Sequence, residues 1–85
     1  MVDNTAFYNS KEWRRLAKAH KRANPLCVVC ESEDRLSPAQ VTDHILAIAD
    51  GGSRLDWDNL QSLCHRCHNA KSGREAHRGR GGANL

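Results

Sequence analysis

Four cysteines carry the strongest chemical signal in the chain. Cys27, Cys30, Cys64 and Cys67 form two Cys-x-x-Cys pairs separated by 33 residues. A two-residue gap lets two thiolates on a tight turn face one ion, and two such turns complete a tetrahedral sulfur set, the closed geometry of structural zinc. A filled set of this kind has no open position and does no chemistry of its own. Disulfides or redox pairs are the weaker reading. Met1 to Asn9 has neither the basic nor the apolar stretch of a secretory signal, and no thioredoxin-like pattern accompanies the pairs. The expected compartment is the cytoplasm, where thiols stay reduced. His65 sits inside the second pair and could replace a thiolate, but four cysteines make that unnecessary.

Other reactive residues lie between and just after these pairs. Val41-Thr42-Asp43-His44-Ile45 puts an acid inside an apolar stretch, which needs a reason because burying a charge without a partner is costly. Asn59 follows in Asp58-Asn59-Leu60-Gln61, and His68 stands directly after Cys67.

The elements that must position these groups are few. With 85 residues, one Phe, one Tyr and two Trp, the chain makes one domain with a small core. A staple is expected to supply stability, and structural zinc contributes roughly 10–16 kcal/mol of apparent binding energy. Residues 9–23 read as a helix capped by Asn9, with Glu12 as the return partner. Trp13, Leu16, Ala17 and His20 form its apolar face, so His20 reads as a packed histidine. Lys11, Arg15, Lys18 and Arg22 form a basic stripe opposite, equally a solvated face or a DNA contact. Asn24-Pro25 stops the helix. Residues 31–40 read as a loop, 41–48 as a strand, 50–53 as a turn and 60–64 as a second strand. A second helix runs from about Cys64 or Arg66 to His77. The domain is assigned to residues 1–78 and a flexible tail to 79–85. Trp57 reads as packing rather than a base-stacking platform.

Charge is segregated: six Lys/Arg against two acids in residues 1–30, two against seven in 31–63, and five against one in 64–85. Basic ends suit a polyanion, and an acidic middle suits a bound cation. Lys71, Arg74, Arg78 and Arg80 are equally a solvated face or DNA contacts, and His77 reads as solvated or at most a DNA contact. No run of eighteen apolar residues exists, so no membrane span is expected.

Taken together, the Asp-His pair on a strand, the Asn in the connecting loop, and the His after the last cysteine resemble the HNH, or ββα-metal, endonuclease family. The opening Phe7-Tyr8-Asn9-Ser10-Lys11-Glu12-Trp13 is similar to the start of small phage-type members. The resemblance implies an α+β, zinc-stapled ββα-metal fold with an added N-terminal helix. It implies that Asp43 and His68 hold one divalent ion (Mg2+, Mn2+, Ni2+ or Zn2+), and a carboxylate and an imidazole are ordinary ligands for one. It makes His44 the general base and Asn59 the brace of its loop. The implied reaction is hydrolysis of DNA, double-stranded and with weak sequence preference, to 5′-phosphate and 3′-hydroxyl ends. The implied setting is the bacterial cytoplasm, with a phage or prophage origin. Two adjacent strand residues can serve one site only where the strand ends or bulges, so a distortion is expected at His44. Some members carry a further His ligand four residues beyond the position of His68; this chain has Ser72 there. The competing readings are an inactive zinc-ribbon DNA-binding module and an accessory that binds phage packaging proteins.

Overall fold

The computed structural model describes residues 5–81, with side chains as far as Glu75. Helix α1 (Thr5–Tyr8) leads into α2 (Lys11–Ala23). The short α3 (Val28–Ser32) follows, then strand β1 (Val41–His44), strand β2 (Leu60–Leu63) and helix α4 (His65–Gly81). The strands form one antiparallel pair with Val41 opposite Leu63 and His44 opposite Leu60. This is a small α+β architecture in which helices pack on a two-stranded sheet.

Helix α2 begins one residue later than its sequence suggests. Ser10, not Asn9, is the cap, and its Oγ accepts from the Trp13 backbone N–H at 3.2 Å. Asn9 is already committed to α1, where its backbone N–H donates to the Thr5 carbonyl at 3.1 Å. With Ser10 as cap, Glu12 is one position short of the return partner. At the other end Asn24 donates through both its backbone N–H and its side-chain amide to the His20 carbonyl, ahead of Pro25. The apolar face is as expected: Trp13 and His20 are buried, and Leu16 and Ala17 are half-buried.

Four further boundaries differ from the sequence reading. The expected loop 31–40 begins as the end of α3, because Cys27 caps a helical turn with its own sulfur. Strand β1 stops at His44 rather than continuing to Ile48. Its partner β2 begins at Leu60, so after one further bond, from the Ile45 N–H to the Asn59 carbonyl, no ladder continues, and Ile45 and Leu46 stay about half exposed. The chain instead turns through a 3-10 turn at Ile48–Asp50 into Gly51, whose φ of 92° is left-handed. Gly52 then packs so close that a Cβ would lie 1.8 Å from the Leu46 carbonyl oxygen. Strand β2 ends at Leu63, not Cys64, because the Cys64 carbonyl accepts from the His68 N–H and so opens α4. Helix α4 runs four residues past His77, to Gly81.

The core lies between β2, α3 and the start of α4. Leu63, Cys27, Cys30 and Cys64 form its buried cluster, with Cys67 packed against it. Leu60 and Ser62 are buried beside it. No helix among the described residues is long and apolar enough to cross a membrane.

Candidate active site and cysteine cluster

The two Cys-x-x-Cys turns meet. Cys27 caps α3 and Cys30 lies in it, while Cys64 follows β2 and Cys67 sits in the first turns of α4. All four sulfurs lie within 4.8 Å of one another. The Cys30 sulfur is 3.9 Å from those of both Cys64 and Cys67. Four sulfurs about 2.3 Å from a tetrahedral zinc would be about 3.8 Å apart, so the cluster fits the ion. His65 is exposed and outside the set. Crowding divides the thiols. Burial raises the Cys27 thiol, but the backbone N–H groups of Cys30 and Cys64 and the neighbouring thiols outweigh it and bring Cys27 down to about 6. Cys67 is pushed up to about 12, first by the Cys64 sulfur and then by burial. Four thiolates this close repel one another, and a divalent cation relieves that repulsion.

Asp43, His44 and His68 border a cleft of about 660 Å³ and an adjoining one of about 210 Å³. Sheet register orients Asp43. Its cross-strand partner is Gln61, whose amide donates to Oδ2 at 3.0 Å. The Lys71 ammonium lies 3.2 Å from the same oxygen. Oδ1 is thereby turned to His68, whose Nε2 is 3.6 Å away. Two ligands of one ion, each about 2.1 Å from it, stand about 3–3.4 Å apart, so this pair fits a divalent metal with small adjustment.

His44 is 4 % exposed and its ring stacks on Trp13, with centroids 4.8 Å apart and planes 22° apart. Its Nε2 is 3.0 Å from the Arg54 carbonyl oxygen. A carbonyl only accepts, so Nε2 carries the proton, and in the neutral ring Nδ1 keeps the lone pair. Asp43 and His44, the last two residues of β1, both border the cleft.

Asn59 holds the 15-residue stretch between the strands and His44's partner within it. Its Oδ1 accepts from the Leu46 N–H at 2.9 Å, and its amide donates to the carbonyls of Leu46 at 3.1 Å and Ser53 at 3.0 Å. Its backbone carbonyl accepts from the Ile45 N–H at 2.7 Å. Arg54, which faces His44, is the next residue after Ser53.

Sequence reasoning missed several participants. Gln61 became visible only through the sheet register. Lys71, read from the sequence as either a solvated residue or a DNA contact, donates to the His44 carbonyl at 3.0 Å and to Glu75. Its place three residues after His68, with Glu75 a turn further on, is a helical-face signal that was open to inspection. Tyr8 borders both clefts, and its phenol is raised by burial and then by the Asp43 and Glu75 carboxylates. Ser72 lines the smaller cleft. The side chains of His77, Arg78 and Arg80 lie outside the described residues. Trp57 is 42 % exposed, with its ring 4.8 Å from that of His20.

A buried histidine with one ring nitrogen on a backbone carbonyl thus lies beside an acid–imidazole pair spaced to hold a cation, a set whose chemistry suits hydrolysis. The family profile described as HNH endonuclease matches residues 27–74, more than half of the chain. A probable HNH endonuclease of Lactococcus phage SK1 is 34% identical over 86 residues, covering 94% of this chain and 88% of that protein. The crystal structure of the HNH endonuclease of deep-sea thermophilic bacteriophage GVE2, with manganese ion, superposes with a TM-score of 0.77 at 44% identity. That match covers 86% of this chain and 82% of the other. The chain therefore belongs to the HNH endonuclease family and is an endonuclease.

Proposed function

We propose that the protein hydrolyses DNA phosphodiester bonds with His44 as general base, a divalent ion held by Asp43 and His68, and zinc in the four-cysteine cluster. The observation that carries this reading is the convergence of the Asp43 Oδ1–His68 Nε2 pair and the buried His44 on one cleft. Nδ1 of His44 takes a proton from water. The water oxygen bonds to phosphorus as the bond to the 3′ oxygen breaks, and that oxygen takes a proton from solvent. The products are 5′-phosphate and 3′-hydroxyl ends. When bound, the ion supplies positive charge to the phosphoryl and leaving oxygens. Asp43 is oriented for this by Gln61 and Lys71, as outer partners orient ligands generally. Asn59 acts as an orienter, not a proton carrier. Manganese, present in the GVE2 relative's structure, is the first metal to try. The cytoplasm, with its reduced thiols, is the proposed site of action.

The test is cleavage of supercoiled plasmid by zinc-loaded protein with Mn2+, Mg2+ or Ni2+. Asp43→Ala and His68→Ala should each lose the second metal and cleavage together while keeping four-cysteine zinc. A parent that binds DNA and never cuts it with any of these metals would be the inactive binding module instead. Cutting that survives either substitution would remove that residue from the ligand set.

A further inference from the structure

The basic surface that meets the cleft shares only Lys18 with the stripe of Lys11, Arg15, Lys18 and Arg22 read from the sequence. Taking Trp13 as zero, Lys11, Arg15 and Arg22 lie at about 160°, 200° and 180° around α2, facing away from the sheet. Arg14 and Lys21 lie at about 100° and 80°, on the flank beside the apolar face, and Lys18 at about 140°, between that flank and the outer stripe. A flank residue forms the wall of a groove, whereas one opposite the core meets only solvent. The larger cleft is bordered by Arg14, Lys18 and Lys21 on its α2 side and by the start of β1 on the other. It reaches Asp43, His44 and His68, and among the described residues Asp43 is the one acid along it. All three cations are exposed, and among the described residues none is ion-paired.

We propose that this flank of α2 is the docking wall for the phosphate backbone of the DNA strand being cut. The inference rests on the nuclease reading and deepens it. Seven residues of helix place Arg14 and Lys21 about 10.5 Å apart along the axis, with Lys18 between them. That span equals about three nucleotide rises of 3.4 Å along one strand, which holds four phosphates, so each of the three cations can meet a different phosphate leading to the reactive one. A positive wall ending on an acid–imidazole pair draws a polyanion in and presents it to the site where its backbone is cut. The outer stripe of Lys11, Arg15 and Arg22 has no such path to the chemistry.

The experiment compares two triple variants, both confined to exposed side chains, with a fluorescein-labelled duplex as probe. Zinc-loaded protein without added catalytic metal is titrated by anisotropy over a range of NaCl. Each phosphate contact contributes about 0.9 to the slope of log affinity against log salt, so Arg14→Gln/Lys18→Gln/Lys21→Gln should flatten it by about 2.7. Lys11→Gln/Arg15→Gln/Arg22→Gln should change it by less than about 1, the weight of a single contact. Unchanged melting curves confirm that both variants fold. If the groove variant keeps the parent's slope, or the outer variant flattens it equally, the docking wall is overturned while parental plasmid cleavage keeps the nuclease reading intact. If the parent itself neither binds nor cuts DNA, both fall.

Discussion

Replacing Asn59 with Ala removes three hydrogen bonds at once, to the Leu46 N–H, the Leu46 carbonyl and the Ser53 carbonyl. Each such bond contributes roughly 0.5–1.5 kcal/mol net. Asn59 is only half-buried, so water replaces part of what is lost, and a total of about 2 kcal/mol is the reasonable figure. That energy holds the stretch after β1 closed, and Arg54 within it fixes the His44 tautomer. Exchange of the Leu46 amide, whose proton Asn59 Oδ1 accepts, should therefore accelerate about 30-fold, since about 1.4 kcal/mol is a factor of ten. Cleavage should fall by a comparable factor through kcat, because the base remains but is less often aimed. Asn59→Asp sharpens the test. A carboxylate can still accept from Leu46 N–H but cannot donate to two carbonyls, and it repels both. Its effect should equal or exceed that of Ala despite its near-identical shape. Hydrogen exchange followed by NMR reads the loop, and single-turnover plasmid cleavage reads the chemistry. Leu46 protection and kcat both at parental levels in Asn59→Asp would refute the bracing argument.

Three other outcomes are expected. His44→Ala should keep the four-cysteine metal and lose about 10²–10⁴-fold in cleavage, the usual weight of a general base; elemental analysis beside the plasmid assay checks both halves. Zinc uptake near neutral pH should release protons, because Cys67, pushed up to about 12, is protonated in the metal-free cluster. Calorimetric heats that do not vary with buffer ionisation enthalpy would contradict this, and affinity should weaken as pH falls. Burial holds His20 below its ordinary 6.5, so it is neutral in the fold and free to charge when unfolded. The stability this represents is complete above 6.5 and is lost as pH drops through the lower folded value. The acid-side fall in melting temperature should be shallower in His20→Leu, and equal slopes would show that His20 does not carry it.

Much of this molecule was legible in the chain because its signals are local. Two-residue gaps between cysteines specify a turn that aims two sulfurs one way, whatever surrounds it. The apolar spacing of Trp13, Leu16, Ala17 and His20 specifies a helix face. Residue type alone made Asp43, His44, Asn59 and His68 conspicuous, and family resemblance supplied their proposed roles. Helix ends were read less well. Asn9 looked like a cap until α1 took its backbone, and an apolar run read as a strand to Ile48 stopped where its partner ran out.

Tertiary structure decided what depends on partners distant in the chain. Asp43 could not choose which oxygen to turn toward His68 until register set Gln61 opposite it and α4 brought Lys71 alongside. His44 had no defined tautomer until Arg54, ten residues on, presented its carbonyl. The choice among the cations of α2 was also tertiary. A helical wheel ranks them only by angle from the core, and Arg14, Lys18 and Lys21 became a groove wall because β1 lies beside that flank. Spacing along a chain sets which groups a turn or helix can aim together, whereas charge orientation and hydrogen-bond direction are set by whatever packing brings within about 3 Å.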